Sequence, residues 1–135
     1  MPYFSKRSQE KLAGCDSHLQ VLFNEVIRRR DCTILEGRRG RVRQNKLFEE
    51  GKSKLKYPKG KHNKIPSEAI DVAPYFPILG VSFNKQDCIY FAGYVMGIAG
   101  AMNINIRNGA DWDRDEQVSD ERFLDILHFE TIPRD

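Results

Sequence analysis

EAIDVAP, residues 68–74, alternates as a β-strand does, with Ile70 and Val72 on one face and Ala69, Asp71 and Ala73 on the other. A carboxylate in mid-strand, with an alanine on either side of it on its own face, is unusual decoration. Its small neighbours leave room for something bulky to approach Asp71. The sequence on either side decides what kind of sheet this strand joins.

Upstream, KSKLKYPKGKHNKIPS (52–67) reads as a lysine-rich loop stiffened by Pro58 and Pro66. Residues 41–50 read as a polar helix stopped by Gly51, and CTILE (32–36) as a short strand ended by Gly37. Two helices open the chain. Ser8 begins a short one that Gly14 ends, and Asp16 or Ser17 caps a longer one. The longer helix carries Leu19, Leu22, Phe23, Val26 and Ile27 on one stripe. Arg28, Arg29 and Arg30 fall in its last turn, where cations suit the helix dipole as well as they would suit a nucleic acid.

Downstream, Asn84 or Asp87 caps an apolar helix over 89–102. That run is too short to cross a bilayer, so Gly93, Gly97 and Ala101 are read as close-packing positions in a core. NINIR (103–107) is expected as a strand, DWDRDEQVSDER (111–122) as an acidic loop and LHFETI (127–132) as a final strand. Short strands interleaved with helices, without a regular βαβ rhythm, define an α+β class. The 135 residues make one domain, 1–135, long enough to bury a core without covalent staples.

Composition, with 40% hydrophobic and 30% charged residues, is that of a soluble globular protein. MPYFSKRSQEK lacks the apolar segment of a secretory signal. Cys15, Cys32 and Cys88 are odd in number and widely spaced, which argues against a disulfide framework and a cysteine zinc site; buried thiols in a reducing compartment are expected. The net charge of +3 hides a polarity. Residues 1–64 hold 17 Lys/Arg against 7 Asp/Glu, whereas residues 65–135 hold 5 against 12. The first half therefore suits an anionic partner, either nucleic acid or an anionic cell wall.

Only three histidines occur: His18, His62 and His128. His18 lies on the second helix and reads as a surface or packing residue. His62 sits on the stiffened loop before Asp71, and His128 follows on the last strand. Two imidazoles and one carboxylate suffice for a catalytic zinc with its fourth position open, although a His–Asp pair at this distance is by itself weak evidence of ligation. Asp125, three residues before His128 in FLDILHFE, is placed to take a proton from a metal-activated water; its plain reading is a polar residue opening a strand. GRRGRVRQ (37–44) presents arginines in a tight turn after a strand, and a guanidinium there could meet an oxyanion or a carboxylate. Glu130 on the same strand serves either as support for His128 or as an exposed acid.

EGRRGRVRQNKLFEEGKSK, KHNKIPSEAIDVAP, GADWDRD and DILHFE, in this order, resemble the zinc D-alanyl-D-alanine carboxypeptidase and L-alanyl-D-glutamate endopeptidase family, and its small phage endolysin branch most. The resemblance runs from about Ser5 to Ile132. It implies a compact antiparallel-sheet peptidase fold shared with the Hedgehog signalling domain. It matches His62, Asp71 and His128 to the family's zinc ligands, Asp125 to its catalytic acid or base, and Arg39, rather than Arg38, to its transition-state arginine. The implied activity is Zn²⁺-dependent hydrolysis of a bond in the bacterial peptidoglycan stem peptide, L-alanyl-D-glutamate before D-alanyl-D-alanine. The enzyme is expected to be monomeric, to gather in the host cytoplasm without a signal peptide, and to reach the wall after release, with neither membrane nor nucleic acid as partner. The rival reading is a catalytically silent binding module using Lys52–Lys64.

The chain departs from the family in places. Gly60 stands where a serine usually precedes the first ligand by two residues, HNKIPSEAID carries a small insertion, and Ser67 is the one candidate to take that serine's role. Asn108 and Ala110 replace a tryptophan and a glycine common before Asp-Trp. Asp111, Asp113 and Asp115 open like a calcium loop, but Glu116 and Arg122 break the pattern, so solvated acids are the expectation.

Overall fold

A computed structural model of the protein describes residues 2–117 and 125–133. Among them are four α-helices, α1 (Lys6–Ala13), α2 (Ser17–Arg29), α3 (Arg41–Glu49) and α4 (Lys85–Ala101), and five strands, β1 (Cys32–Glu36), β2 (Ala69–Phe76), β3 (Gly80–Val81), β4 (Ile106–Gly109) and β5 (Asp125–Thr131). The sheet runs β1-β2-β5-β4, antiparallel at every pairing, and the short β3 folds back onto β2. The α+β class expected from the sequence is the one observed.

The stripe on α2 builds the core. Leu19, Leu22, Phe23 and Val26 are wholly buried against Ile70 and Val72 of β2 and Phe129 of β5. Phe129 makes edge-to-face contacts with Phe23 at 5.5 Å and Phe91 at 6.4 Å between centroids. All three cysteines are free and buried. Burial, aided by Asp16, pushes the Cys15 thiol up to about 12, so it stays a neutral core group.

Asp16 caps α2 through His18 N, and Asn84, not Asp87, caps α4 through Gln86 N and Asp87 N. Four expectations are corrected. The cap of α1 is Ser5; Ser8 lies buried inside the helix, where its hydroxyl accepts from Ile34 N at 3.1 Å. Lys11 Nζ donates to Leu35 O at 2.9 Å, so α1 covers the otherwise open edge of β1 with side-chain hydrogen bonds. Gly93, Gly97 and Ala101 are exposed, and a Cβ at either glycine would meet open space. That row points away from the one that packs, Cys88, Phe91, Ala92, Val95 and Ala99.

The last two corrections concern strand limits. Asn103 adopts φ 58° to leave α4, so β4 begins at Ile106 and extends to Gly109 rather than covering 103–107. The final strand starts at Asp125, two residues earlier than the alternation of LHFETI suggests. Residues 118–122 of the acidic segment lie outside the described residues.

The turn after β1 is tight against the N-terminal helix. A Cβ on Gly37 would stand 2.4 Å from Lys11 O and 3.2 Å from Cys15 Sγ, so only glycine fits. Ser67 N donates to Gly14 O and Asp16 N to Ser67 O, clipping the end of the 52–67 loop to the junction of α1 and α2. No helix among the described residues is long and apolar enough to cross a membrane.

Candidate active site

Asp71 and His128 are direct partners across the β2–β5 ladder, and His62 comes from a single 3-10 turn, Lys61–Asn63, at the mouth of the sheet. His62 Nε2 and His128 Nδ1 each lie 3.2 Å from Asp71 Oδ1, and the three donor atoms fall within 4.8 Å of one another. The two histidine rings meet edge to face at 5.1 Å between centroids, and the Trp112 ring lies 5.5 Å from that of His128.

The outward nitrogens explain the orientation. His62 Nδ1 donates to Gly37 O at 2.8 Å, and His128 Nε2 donates to Glu130 Oε1 at 2.8 Å. Each imidazole therefore turns its other nitrogen toward the same carboxylate oxygen. Lone pairs cannot face a carboxylate without a cation between them, either a proton or a metal. Four-coordinate bonds of about 2.0–2.1 Å place neighbouring donors about 3.3 Å apart, close to the separations seen here. Two imidazoles and one carboxylate fit zinc chemistry, and a hydrogen-bond acceptor behind each histidine is the usual second support of a metal ligand.

Charge in the cluster is arranged to match. Burial alone would raise the Asp71 carboxyl, but hydrogen bonds from His128 and His62 outweigh it and hold Asp71 well below the usual range. Burial would lower His128, yet Asp71 and Glu130 push the imidazole up to about 9, so in the metal-free chain a proton takes the cation's place. Glu130 is brought down to about 2 against its own burial by His128 and Arg107. Its Oε2 accepts from Arg107 Nη2 at 2.7 Å and pairs with Lys61 Nζ at 3.2 Å. Of the two readings of Glu130, support for His128 is the one the geometry bears out, since the residue is buried.

Arg39 reaches the cluster from the turn after β1, with Nη2 3.7 Å from Asp71 Oδ2. Its fork grips Glu36 through Nε and Nη2, both at 2.9 Å, and Nη1 donates to Gln44 Oε1 at 3.0 Å. Arg39, and not Arg38, lines the cleft of about 700 Å³ that opens over the cluster. Asp125 lines the same cleft, and burial followed by the charge of Asp71 raises its carboxyl above the ordinary value. Arg43, Lys52, Lys54 and Lys59 also line the cleft, which places part of the basic first half there.

Sequence reading missed the groups that hold these side chains. Buried Gln44 binds Arg39 and accepts from Asn63 Nδ2 at 3.1 Å, and Asn63 Nδ2 also donates to Arg39 O at 3.0 Å. Glu36 stands three residues before Arg39, a spacing that could have flagged the ion pair. Gly60 has a physical reason: a Cβ there would come 2.9 Å from Asn63 Oδ1, which accepts the Gly60 N–H. Ser67, the candidate for the family serine's role, donates its hydroxyl to Ala69 O at 2.6 Å. Ala69 and Ala73 are wholly buried, so the room beside Asp71 is filled by the protein itself on those two sides. His18 is exposed and pairs only with Asp16 among the described residues, as expected of a surface histidine.

His62, Asp71 and His128, together in an open cleft on a small antiparallel sheet backed by helices, form a group that could hold a metal ion. Residues 1–132 match the family described as phage L-alanyl-D-glutamate peptidase, and the chain belongs to that family. It is a peptidase of bacterial peptidoglycan. The fold is similar to that of the Serratia marcescens L-Ala D-Glu endopeptidase ChiX, with a TM-score of 0.73 and 23% identity over 96% of this chain and 89% of that one. No protein of curated function matches the chain in sequence.

Proposed function

We propose that the chain is a zinc peptidase that cuts the L-alanyl-D-glutamate bond of the stem peptide, with His62, Asp71 and His128 as ligands, Asp125 as proton carrier and Arg39 as a fixed cation. The observation that carries this reading is the shared aim of the two imidazoles. Each is held from behind by an acceptor, and both converge on one oxygen of Asp71. Zinc held there would supply Lewis acidity, polarising the scissile carbonyl and making a water acidic enough to attack at neutral pH.

The protein's own groups do the rest. Asp125 takes the proton of the attacking water on a carboxylate oxygen and returns it to the leaving amine nitrogen. Its raised pKa suits both halves of that task, because a base that is too weak would not accept the proton. Arg39, locked by Glu36 and Gln44, presents its fixed guanidinium charge to the developing oxyanion or a stem carboxylate. The lysines lining the cleft favour approach of an anionic polymer.

Purified peptidoglycan embedded in a gel tests the reading. Clearing should vanish with a chelator and return with zinc, and the products should carry a new D-glutamate amino terminus. Clearing that persists in chelator, or a product lacking that terminus, would overturn it.

A further inference from the structure

In a regular strand, side chains three residues apart point to opposite faces. Asp125 and His128 are three apart on β5, yet both line the same cleft. The strand must therefore be broken between them. The pairing with β4 shows where: Ile106, Arg107 and Asn108 face Thr131, Glu130 and Phe129 in order, but the next residue, Gly109, faces Asp125. One step along β4 thus spans four along β5, and Ile126, Leu127 and His128 are left without a partner on that side.

Such a bulge frees carbonyls that need donors. Asn108 supplies donors for two of them. Its Nδ2 donates to Ile126 O at 2.8 Å and to His128 O at 2.9 Å, while its Oδ1 accepts from Ala110 N at 2.9 Å. The side chain is buried, and its two donor hydrogens and its oxygen are all engaged inside the protein. Gly109 completes the device. A Cβ there would sit 2.0 Å from Asp125 O and 2.9 Å from Asp125 Cβ, so a larger residue would push Asp125 away.

We infer that Asn108 and Gly109 are positioning residues that hold the Ile126–His128 bulge and so bring the carboxylate of Asp125 onto the side of the sheet where the metal ligands lie. Asn108 touches neither substrate nor metal; it acts through two carbonyls. His128 has other supports, the ladder to Asp71 and the bond to Glu130, whereas Asp125 has β4 alone among the described strands. Losing the Asn108 amide therefore displaces the proton carrier before it displaces the ligand.

The inference rests on Asp125 being the proton carrier, so the experiment tests the two together. Asn108→Asp keeps shape and the bond from Ala110 but turns both donors into acceptors; Gly109→Ala pushes directly on Asp125. Zinc per chain, kcat, KM and the pH profile of kcat/KM would be measured on both and on Asp125→Asn. We expect about one zinc per chain, little change in KM, and kcat down on the order of 10²-fold, the cost typical of about an ångström of misplacement. The limb of the pH profile that Asp125 sets should move in the positioning variants. A merely structural role would lower the melting temperature and leave that limb and kcat per zinc-loaded molecule untouched, and this outcome overturns the inference. Zinc lost in step with activity in both variants also overturns it. If Asn108→Asp does not fold, Gly109→Ala decides by the same criteria. Wild-type cleavage by Asp125→Asn sinks the reading of Asp125 itself. An inactive Asp125→Asn beside unaffected Asn108 and Gly109 variants sinks only the present inference.

Discussion

Among the described residues, two groups of three histidine or acidic side chains bring ligand-type atoms within 4.8 Å of one another: His62, Asp71 and His128 on the sheet, and Asp111, Asp113 and Asp115 on the loop after β4. They differ in what stands behind the donors. On the sheet, the outer atoms are held by Gly37 O, Glu130 and Arg39, leaving the inner atoms aimed at a common point. On the loop, carboxylate oxygens turn back to the chain's own amides: Asp111 accepts from Asp115 N at 3.1 Å and Glu116 N at 2.9 Å, and Asp115 accepts from Gln117 N at 2.8 Å. The pKa directions follow. Asp71 is held down by its imidazoles, whereas Asp111 is raised by what burial it has and by Asp113 and Asp115 beside it, against the pull of those amides. Proximity of ligand-type residues does not make a site; the outer hydrogen bonds that decide where each donor points do.

The largest effect that comparison predicts is loss of metal. His128→Ala or Asp71→Ala should lose most of the zinc and fall at least ~10³-fold in stem-peptide cleavage, since both the metal and its water are gone. Elemental analysis with a cleavage assay checks it, and stoichiometric zinc in both variants would remove the proposed centre.

Smaller, and opposite in sign with and without metal, is the response to pH. His128 is raised, so in the metal-free protein its contribution to stability is full below its ordinary value of 6.5 and is lost as pH climbs through about 9. Asp71 is depressed, and its contribution is present above the usual carboxylate range and lost as pH falls. In chelator the melting temperature should thus peak in the mildly acid range and decline toward pH 9. With zinc the same rise in pH should stabilise, because protons cease to compete for the imidazoles. Parallel melting curves would show that no imidazole exchanges a proton for the metal. The smallest effect belongs to the loop: Asp113→Asn combined with Asp115→Asn should leave zinc content within error of wild type.

Much of this was legible in the sequence, and the boundary has a physical cause. The stripe on α2, the limits of β1 and the alternation around Asp71 are local patterns set by periods of 3.6 and 2, and they hold in the structure. Four short motifs in order also sufficed to match the donors His62, Asp71 and His128 to the family, and these three converge in space. What stayed hidden are pairings between distant residues. Nothing near Asn108 announces that its amide will reach Ile126 and His128, and nothing near Gln44 announces Arg39 and Asn63. The Gly93–Gly97–Ala101 row misled because small residues on an exposed helix face look the same in sequence as small residues in a packed one.

Helix α1 contributes no side chain to the cleft, yet it is pressed against Gly37, and the Gly37 carbonyl fixes the His62 ring. Catalytic part and scaffold part are therefore not separable pieces of this chain. Replacing or trimming the first helix to graft the enzyme onto a new targeting segment would disturb the His62 ring, some fifty residues away in sequence. An engineer would do better to attach new cargo at the exposed tip between β2 and β3, where Ile78 and Leu79 project into solvent and line no part of the cleft.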